Sequence, residues 1–529
     1  MHLSAYEIIL PLTNGEGKEI QDLSLLVNGL YGSVDVVAHQ EVELLFSGDF
    51  DAVPKSLLAR LISRGHLTEK TQDEERKDLQ LLGRIYRLLI SRIETAICIL
   101  PTYDCNFRCP YCFERHRLKN GKEWLCGTIS TEMIDAVFNA LQNERDKGHL
   151  VIHCTLYGGE PLLKENIQVV RYIGDKCRDM GLKMNAITNG YDLDEYIDLL
   201  DQYSFQQLQI TVDGVSDINN ALRVHRDGCG SYDKIMSNIE LALEHGIDVH
   251  MRVNVGQNNI HGMKDLVEDL RNRGFVDKEE QRINSVNEGK SSERGKFSYY
   301  FKAVEYDEPE NSVTEQEIMQ ELLDMGFSAE EAIARESQYF LPSDVFRSQI
   351  SKKVLPPIMT AFCGSEMNSV IVDPYGKLFP CWDQVAKEDA SIGFLDKESG
   401  RFIWDFEKAR WLTRTSDLIQ KCVDCPYAFI CRGGCASRAM AKNGSFFREY
   451  CGEIKEIFSF IAPRLAGEVY ERTGDKELSL SWFEPLSLLS QEDRNIIMNT
   501  GSQKEILGIL QKYGIPDMIK SCGNIESEC

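Results

Sequence analysis

The chain has 529 residues, 43% hydrophobic and 27% charged, the balance of an ordinary globular protein and a length that calls for several domains. Its net charge of −24 disfavours binding to phosphate backbones, so no nucleic-acid partner is expected. No run of about 18 apolar residues occurs, and "MHLSAYEIIL" lacks a basic segment ahead of an apolar one, so no membrane or secretory role is expected and the compartment reads as cytoplasmic.

In chain order, residues 1–90 read as a small module. "YEIILPL" is a strand, "NGEGK" a turn, and "VNGLYGSVDVV" a second turn and strand region. "DAVPKSLLARLISRGHL" and "EERKDLQLLGRIYRLLI" carry apolar residues at helical spacing, which gives a winged-helix-like order. Residues 91–306 alternate strand and helix. The strands are "TAICIL", "VIHCTLY", "MNAIT", "LQITVD", "DVHMRVNV" and "SYYFKAV". Such alternation implies a parallel sheet, and six strands imply a partial (β/α)6 barrel within an α/β fold. Residues 307–360 bridge to a cysteine-rich region at 361–464, and 465–529 form a helical extension.

The 17 cysteines are an odd number, in a compartment where clustered cysteines more often hold metal or do redox chemistry than form disulfides. Ten fall in two groups, and Cys98, Cys126, Cys154, Cys177 and Cys229 read as small buried apolar residues. The first group is "CNFRCPYC": Cys105, Cys109 and Cys112, directly after the first barrel strand. Three thiolates leave one iron of a [4Fe–4S] cube without a protein ligand, a vacancy typical of reactive sites. A zinc site with His116 as fourth ligand is the alternative.

This spacing, with Tyr111 before the last cysteine, resembles the radical SAM superfamily. The resemblance implies that S-adenosylmethionine chelates the open iron and that its reductive cleavage yields a 5′-deoxyadenosyl radical. It also implies that Gly158, Gly159 and Glu160 contact the amino group, and that Thr188 and Asn189 reach the ribose. Thr211 and Asp213 lie on the same rim, after the next strand. Arg223 pairs with the methionine carboxylate, a role for which Arg226 and Arg252 compete.

The second group holds Cys363, Cys381, Cys422, Cys425, Cys431, Cys435 and Cys451. Its order of spacings resembles the seven-cysteine SPASM domain, which implies two auxiliary [4Fe–4S] clusters and three cubes in all. A pair of zinc ribbons is the alternative. By the family's interleaved pattern, Cys422, Cys425, Cys431 and Cys451 close one cluster, while Cys363, Cys381 and Cys435 hold the other. The fourth position of that second cluster is left to Asp383, to a substrate thiol, or to Cys522 or Cys529. Asp383 is also a candidate to take a proton from the substrate, although Trp382 separates it from Cys381, unlike the sulfatase-maturing branch.

The parts together resemble maturases of ribosomally made peptides of the thioether-forming ranthipeptide and sactipeptide type. The N-terminal module then binds the leader of a precursor peptide on an exposed sheet edge. A flavodoxin or ferredoxin is the implied electron donor. Carbon–carbon or carbon–oxygen crosslinking and formylglycine formation on a sulfatase are the rival products. Rivals of another class are a plain electron-transfer module, which needs no amine-binding glycines, and a winged-helix redox-sensing transcription factor.

Overall fold

A computed structural model describes residues 1–89, 95–114, 121–149, 151–203, 205–276, 294–304, 309–336, 342–356, 358–367, 369–387 and 389–515. The chain forms two compact units. One comprises Met1–Ile93, Leu322–Met367 and Arg410–Cys529, the other Glu94–Glu321 and Asn368–Ala409. Compactness thus groups the linear segments differently from their order, and the second cysteine region is divided between the units. His116, Cys522 and Cys529 lie outside the described residues.

In the first unit, β1 (Glu7–Thr13), β2 (Glu19–Asn28) and β3 (Val34–Ala38) form an antiparallel sheet in that order. Helices α1 (His39–Ser47) and α2 (Lys55–Ser63) cover one face, with Val42, Leu45, Leu57 and Leu61 packed on Leu26 and Val37. Sequence reading missed α1, which starts at Ala38 without a capping side chain there; the Ala38 amide instead donates to Glu41 at 2.8 Å. Helix α3 (Gln72–Leu89) buries Leu79, Leu82, Ile85 and Leu89 against Trp482, Leu486, Ile497, Ile506 and Leu510 of the C-terminal extension.

The sheet edge expected to be exposed is closed at β3. Asp35 bridges Glu477, the Val36 amide donates to Lys476 O at 2.8 Å, and the Leu478 amide donates to Val34 O at 2.9 Å. The Val34 amide donates to Ser479 Oγ at 2.9 Å, and fully buried Trp482 anchors the segment through Nε1 to Pro356 O at 2.7 Å. The physical reason is the usual one for strand edges: unpaired backbone groups are satisfied by whatever chain lies near, here the protein's own. Beside it, buried His66 sits between Glu7 and Asp35, each 2.8 Å from one ring nitrogen. Burial pulls this imidazole down, but the Glu7 charge and the Asp35 hydrogen bond hold it at about 9.

The second unit carries six parallel strands: β4 (Thr95–Ile99), β5 (Val151–Leu156), β6 (Lys183–Thr188), β7 (Phe205–Thr211), β8 (Asp248–Val255) and β9 (Phe297–Ala303). They lie side by side in chain order with helices between them, a partial (β/α)6 barrel of the kind expected. Beyond β4 the sheet continues. Strand β10 (Val370–Val372) pairs parallel to β4, and β11 (Lys377–Phe379), β12 (Gly393–Asp396) and β13 (Arg401–Trp404) follow antiparallel. That pairing draws residues 368–409 into the barrel unit.

Alternation along β8 sends Val249, Met251 and Val253, all at most 1% exposed, outward beneath the helices. His250, Arg252 and Asn254 face inward. His250 Nδ1 lies 2.6 Å from Ser298 Oγ on β9, and Tyr300 of β9 donates to Gln209 of β7 at 3.2 Å. The inner face is therefore polar and half open, unlike the packed interior of a closed barrel. Among the described residues no helix is long and apolar enough to cross a membrane.

Candidate active site

The carboxyl ends of β4, β5, β6 and β7 bring the predicted rim residues together. After β4 the chain runs through Thr102 and Asp104 to Cys105. The Glu160 amide donates to Asp104 O at 2.8 Å, and the Gly159 amide donates to Thr102 O at 3.3 Å. A Cβ on Gly159 would lie 2.1 Å from Asp104 O, and one on Gly158, whose φ is +138°, would lie 2.5 Å from Thr102 O. Both glycines are thus required for the cysteine loop to rest on the loop after β5.

Glu160 is buried and ties three loops. Its carboxylate accepts from Thr188 Oγ1 at 2.6 Å, the Asn189 amide at 2.6 Å and the Leu162 amide at 2.9 Å. Burial pushes this carboxyl up to about 7 against those three donors. Asn189 Nδ2 donates to Asn106 Oδ1 at 2.6 Å, which pins the cysteine loop to β6.

Cys105, Cys109 and Cys112 are all half-buried. The Phe107 amide points at Cys105 Sγ at 3.3 Å, and the Cys112 amide donates to Cys109 O at 3.2 Å. Burial pushes the Cys105 thiol up, and Glu160, Cys109 and Cys112 add to the rise. The Tyr111 hydroxyl donates to Asp213, accepts from Arg223 at 2.8 Å, and meets Asn254 Nδ2 at 3.3 Å. Arg223 is only 6% exposed and lies 3.7 Å from Asp213. Its buried Nε has no acceptor, an orphaned donor beside the cysteine loop. Thr211 ends β7 beside them and pairs in register with Arg252. The donor set fits the implied groups: three thiols for a cube, glycine-lined backbone, one carboxylate and one guanidinium whose Nε lacks an acceptor.

In the first unit, Cys422, Cys425, Cys431 and Cys451 converge. Burial pushes the Cys422 thiol up to about 12, with Cys431, Cys425 and Cys451 adding. Burial does the same to Cys431, again to about 12, with Cys451 and Cys425 adding. Arg432, Gly433 and Gly434 are all left-handed, which turns the chain between Cys431 and Cys435. A Cβ on Gly434 would lie 1.7 Å from Tyr450 O, so this turn packs on the segment leading to Cys451. Cys435 lies near Cys363, whose thiol burial and Glu366 push up to about 12, with Cys435 adding.

Sequence reading missed the brace behind these loops, Arg414. It is fully buried and donates to Glu366 at 2.5 Å, Gly434 O at 2.7 Å, Gly433 O at 2.8 Å and Phe446 O at 2.5 Å. Nothing in "WLTRTSD" marks it, because its partners come from three distant segments.

Cys381 belongs to the second unit, on a turn with Trp382 and Asp383. The Trp382 ring meets Tyr157, the residue before Gly158, with centroids 4.3 Å apart, so Trp382 touches the rim. Asp383 is instead exposed and paired with Lys387 at 3.0 Å. The inserted Trp382 takes the rim-facing position and the acid turns to solvent. Among the described residues, no three His, Cys, Asp or Glu side chains stand close enough together to hold a single metal ion.

The model of the radical SAM superfamily matches residues 99–270, and that of the SPASM iron–sulfur cluster-binding domain matches residues 363–426. A cysteine-type anaerobic sulfatase-maturating enzyme of Clostridium perfringens (strain 13 / Type A) is 23% identical over 379 residues, 68% of this chain and 94% of that protein. The antilisterial bacteriocin subtilosin biosynthesis protein AlbA of Bacillus subtilis (strain 168) is 24% identical over 369 residues, 67% of this chain and 70% of AlbA. Among solved structures, anSMEcpe with bound AdoMet superposes with a TM-score of 0.51 at 17% identity, over 72% of this chain and 96% of that chain, a likeness of fold. The cysteine loop, the glycine-lined rim and these matches agree: the chain is an enzyme that carries a radical SAM domain over residues 99–270 and a SPASM domain over residues 363–426.

Proposed function

We propose that this enzyme matures a ribosomally made precursor peptide by joining a cysteine sulfur to a carbon of an acceptor residue. When bound, S-adenosylmethionine on the first cube would supply a hydrogen-abstracting carbon radical, and two auxiliary cubes would supply an electron sink. The balance is two hydrogens lost from the peptide, one as an atom from the acceptor carbon and one as the thiol proton, with one surplus electron passed on. Cys105, Cys109 and Cys112 hold the first cube in this reading. Glu160 pairs with the ammonium of the cofactor, and Arg223 with its carboxylate.

The observation that carries the thioether is at Cys363. Ser365 Oγ lies 2.9 Å from Cys363 Sγ, where it hydrogen-bonds the sulfur, and Glu366 is engaged by Arg414 and by the Phe362 amide at 2.5 Å. Ser365 and Glu366, the oxygen side chains following Cys363, are thus held by other partners, which supports a fourth position left to a substrate thiol. The thiol proton is released to water. The relative named for subtilosin biosynthesis supports a peptide substrate, as does anSMEcpe solved with a bound Cp18Cys peptide. The N-terminal module holds the leader, whose added strand takes the place of residues 476–479 on β3. A flavodoxin or ferredoxin supplies the electron.

The test is anaerobic reconstitution to about twelve irons per chain, followed by turnover with a short cysteine-containing peptide encoded beside the gene. Loss of two hydrogens, with the cysteine no longer alkylated, supports the thioether. Loss of two hydrogens with a free thiol means carbon–carbon or carbon–oxygen crosslinking. Loss of sulfur means formylglycine, the reading that the sulfatase-maturating relative favours.

A further inference from the structure

Two buried or half-buried arginines project from the barrel near Tyr111, and their surroundings differ. Arg223 is engaged by Tyr111 Oη at 2.8 Å and by Asp213 at 3.7 Å, and its guanidinium lies 5.4 Å from the Phe107 ring. Arg252, half-buried on the inner face of β8, makes one side-chain hydrogen bond to an amide, from Nε to Asn254 Oδ1 at 2.8 Å. Among the described residues no carboxylate lies within 4.0 Å of it. Asp213, the nearest acid, is taken by Tyr111, by Arg223 and by the Asn254 amide at 3.0 Å.

The rest of its environment is neutral and polar. Tyr300 stands beside Arg252 in the β8–β9 register and donates to Gln209, and Thr211 stands beside it in the β7–β8 register. Tyr300, Tyr157, Tyr111 and, more weakly, Asp213 are its electrostatic neighbours, so the guanidinium lies between the end of β5 and the β8–β9 pair. One inward step along β8, about 7 Å, separates Arg252 from Asn254, and Asn254 reaches the Tyr111 hydroxyl next to Cys112. A guanidinium half withdrawn from bulk water, with Asn254 and Tyr300 as its hydrogen-bond partners, gains from a carboxylate that the fold does not place on it. A planar fork of donors in a neutral lumen matches one ligand chemistry, a carboxylate taken side-on.

We propose that Arg252 is a carboxylate-binding subsite in the barrel lumen, separate from Arg223. The carboxylate belongs to an acidic residue or C-terminus of the substrate, held one strand step from the cysteine loop, or to the amino-acid end of the cofactor. Only the substrate source rests on the peptide-maturase reading; the subsite itself does not.

The experiment uses the full chain, reconstituted anaerobically, as native protein, Arg252→Gln and Arg252→Lys. One arm measures binding of S-adenosylmethionine and of its decarboxylated analogue. The other measures saturation-transfer NMR of N-acetylaspartate methylamide and N-acetylasparagine methylamide with S-adenosylmethionine present. A charge-assisted pair is worth about 1.5–3 kcal/mol, so the Gln variant should weaken the carboxylate ligand by about 10- to 100-fold and leave its neutral counterpart unchanged. If the drop falls on S-adenosylmethionine, the carboxylate is the cofactor's. If it falls on the aspartate probe while cofactor binding holds, it is the substrate's. If both carboxylate ligands bind the Gln variant as they bind the native protein, the subsite is overturned. Should the Gln variant fail to take up iron, the Lys variant carries the test: it keeps the charge without the fork and should weaken the same ligand several-fold, with equal binding overturning the proposal. Failure of the peptide reading leaves the cofactor arm readable.

Discussion

The two larger sheets among the described residues are built from similar apolar strands and are used in opposite ways. The three-stranded sheet β1–β3 is packed on one face by α1 and α2, and its β3 edge is paired with residues 476–479. The barrel sheet is covered by helices outside only. Inside it presents His250, Arg252, Gln209 and Ser298, and its strand ends carry the cysteine loop, Glu160 and Asp213. Open polar faces at the carboxyl ends of parallel strands are where ligands enter. The contrast separates a scaffold from a reaction chamber by what each sheet leaves unsatisfied.

The sharpest way to break that contrast is Cys112→Ala. It should abolish S-adenosylmethionine cleavage and lower iron from about twelve to about eight per chain, because the seven cysteines of the second group are unchanged. Loss of all iron would mean that the auxiliary clusters do not load independently of the first. Next comes Arg414→Met, which leaves Glu366 buried and unpaired. Breaking such a pair costs about 3–5 kcal/mol, so the variant should unfold at lower denaturant and lose auxiliary iron before the first cluster. Gly159→Ala should act the other way round, since its Cβ meets Asp104 O. The expected cost is about 1–3 kcal/mol, with the first cluster lost and the auxiliary spectrum intact.

His66 tests the scaffold by pH. Its folded-state value of about 9 exceeds the ordinary 6.5. The stability it adds is therefore complete below about pH 6.5 and is lost as pH rises through about 9, a swing on the order of 3 kcal/mol. Thermal transitions of the native protein should fall between pH 7 and 10, and those of His66→Gln should fall less. The smallest effect is expected from Ser365→Ala. It removes a hydrogen bond to Cys363 Sγ and should lower the reduction potential of that cluster while iron content stays unchanged, read by redox-poised EPR.

The barrel and its rim were legible because their signals are local. Strand–helix alternation depends on consecutive residues, and "CNFRCPYC" and "GGE" sit directly after strands β4 and β5. Asn254 was within reach of the same logic, as the third inward residue of "DVHMRVNV". The amino-acid sequence alone determined the six alternating strands, the two cysteine groups and the glycines that let the first loop seat. Only tertiary structure decided that Lys476–Ser479 closes the β3 edge, that Arg414 braces Gly433, Gly434 and Glu366, that Trp382 rather than Asp383 meets the rim, and that Arg252 lacks an acid. Periodicity and spacing act over a few residues. Pairing between segments hundreds of residues apart depends on which packing buries apolar surface and satisfies backbone groups at once, and no short stretch of sequence encodes that choice.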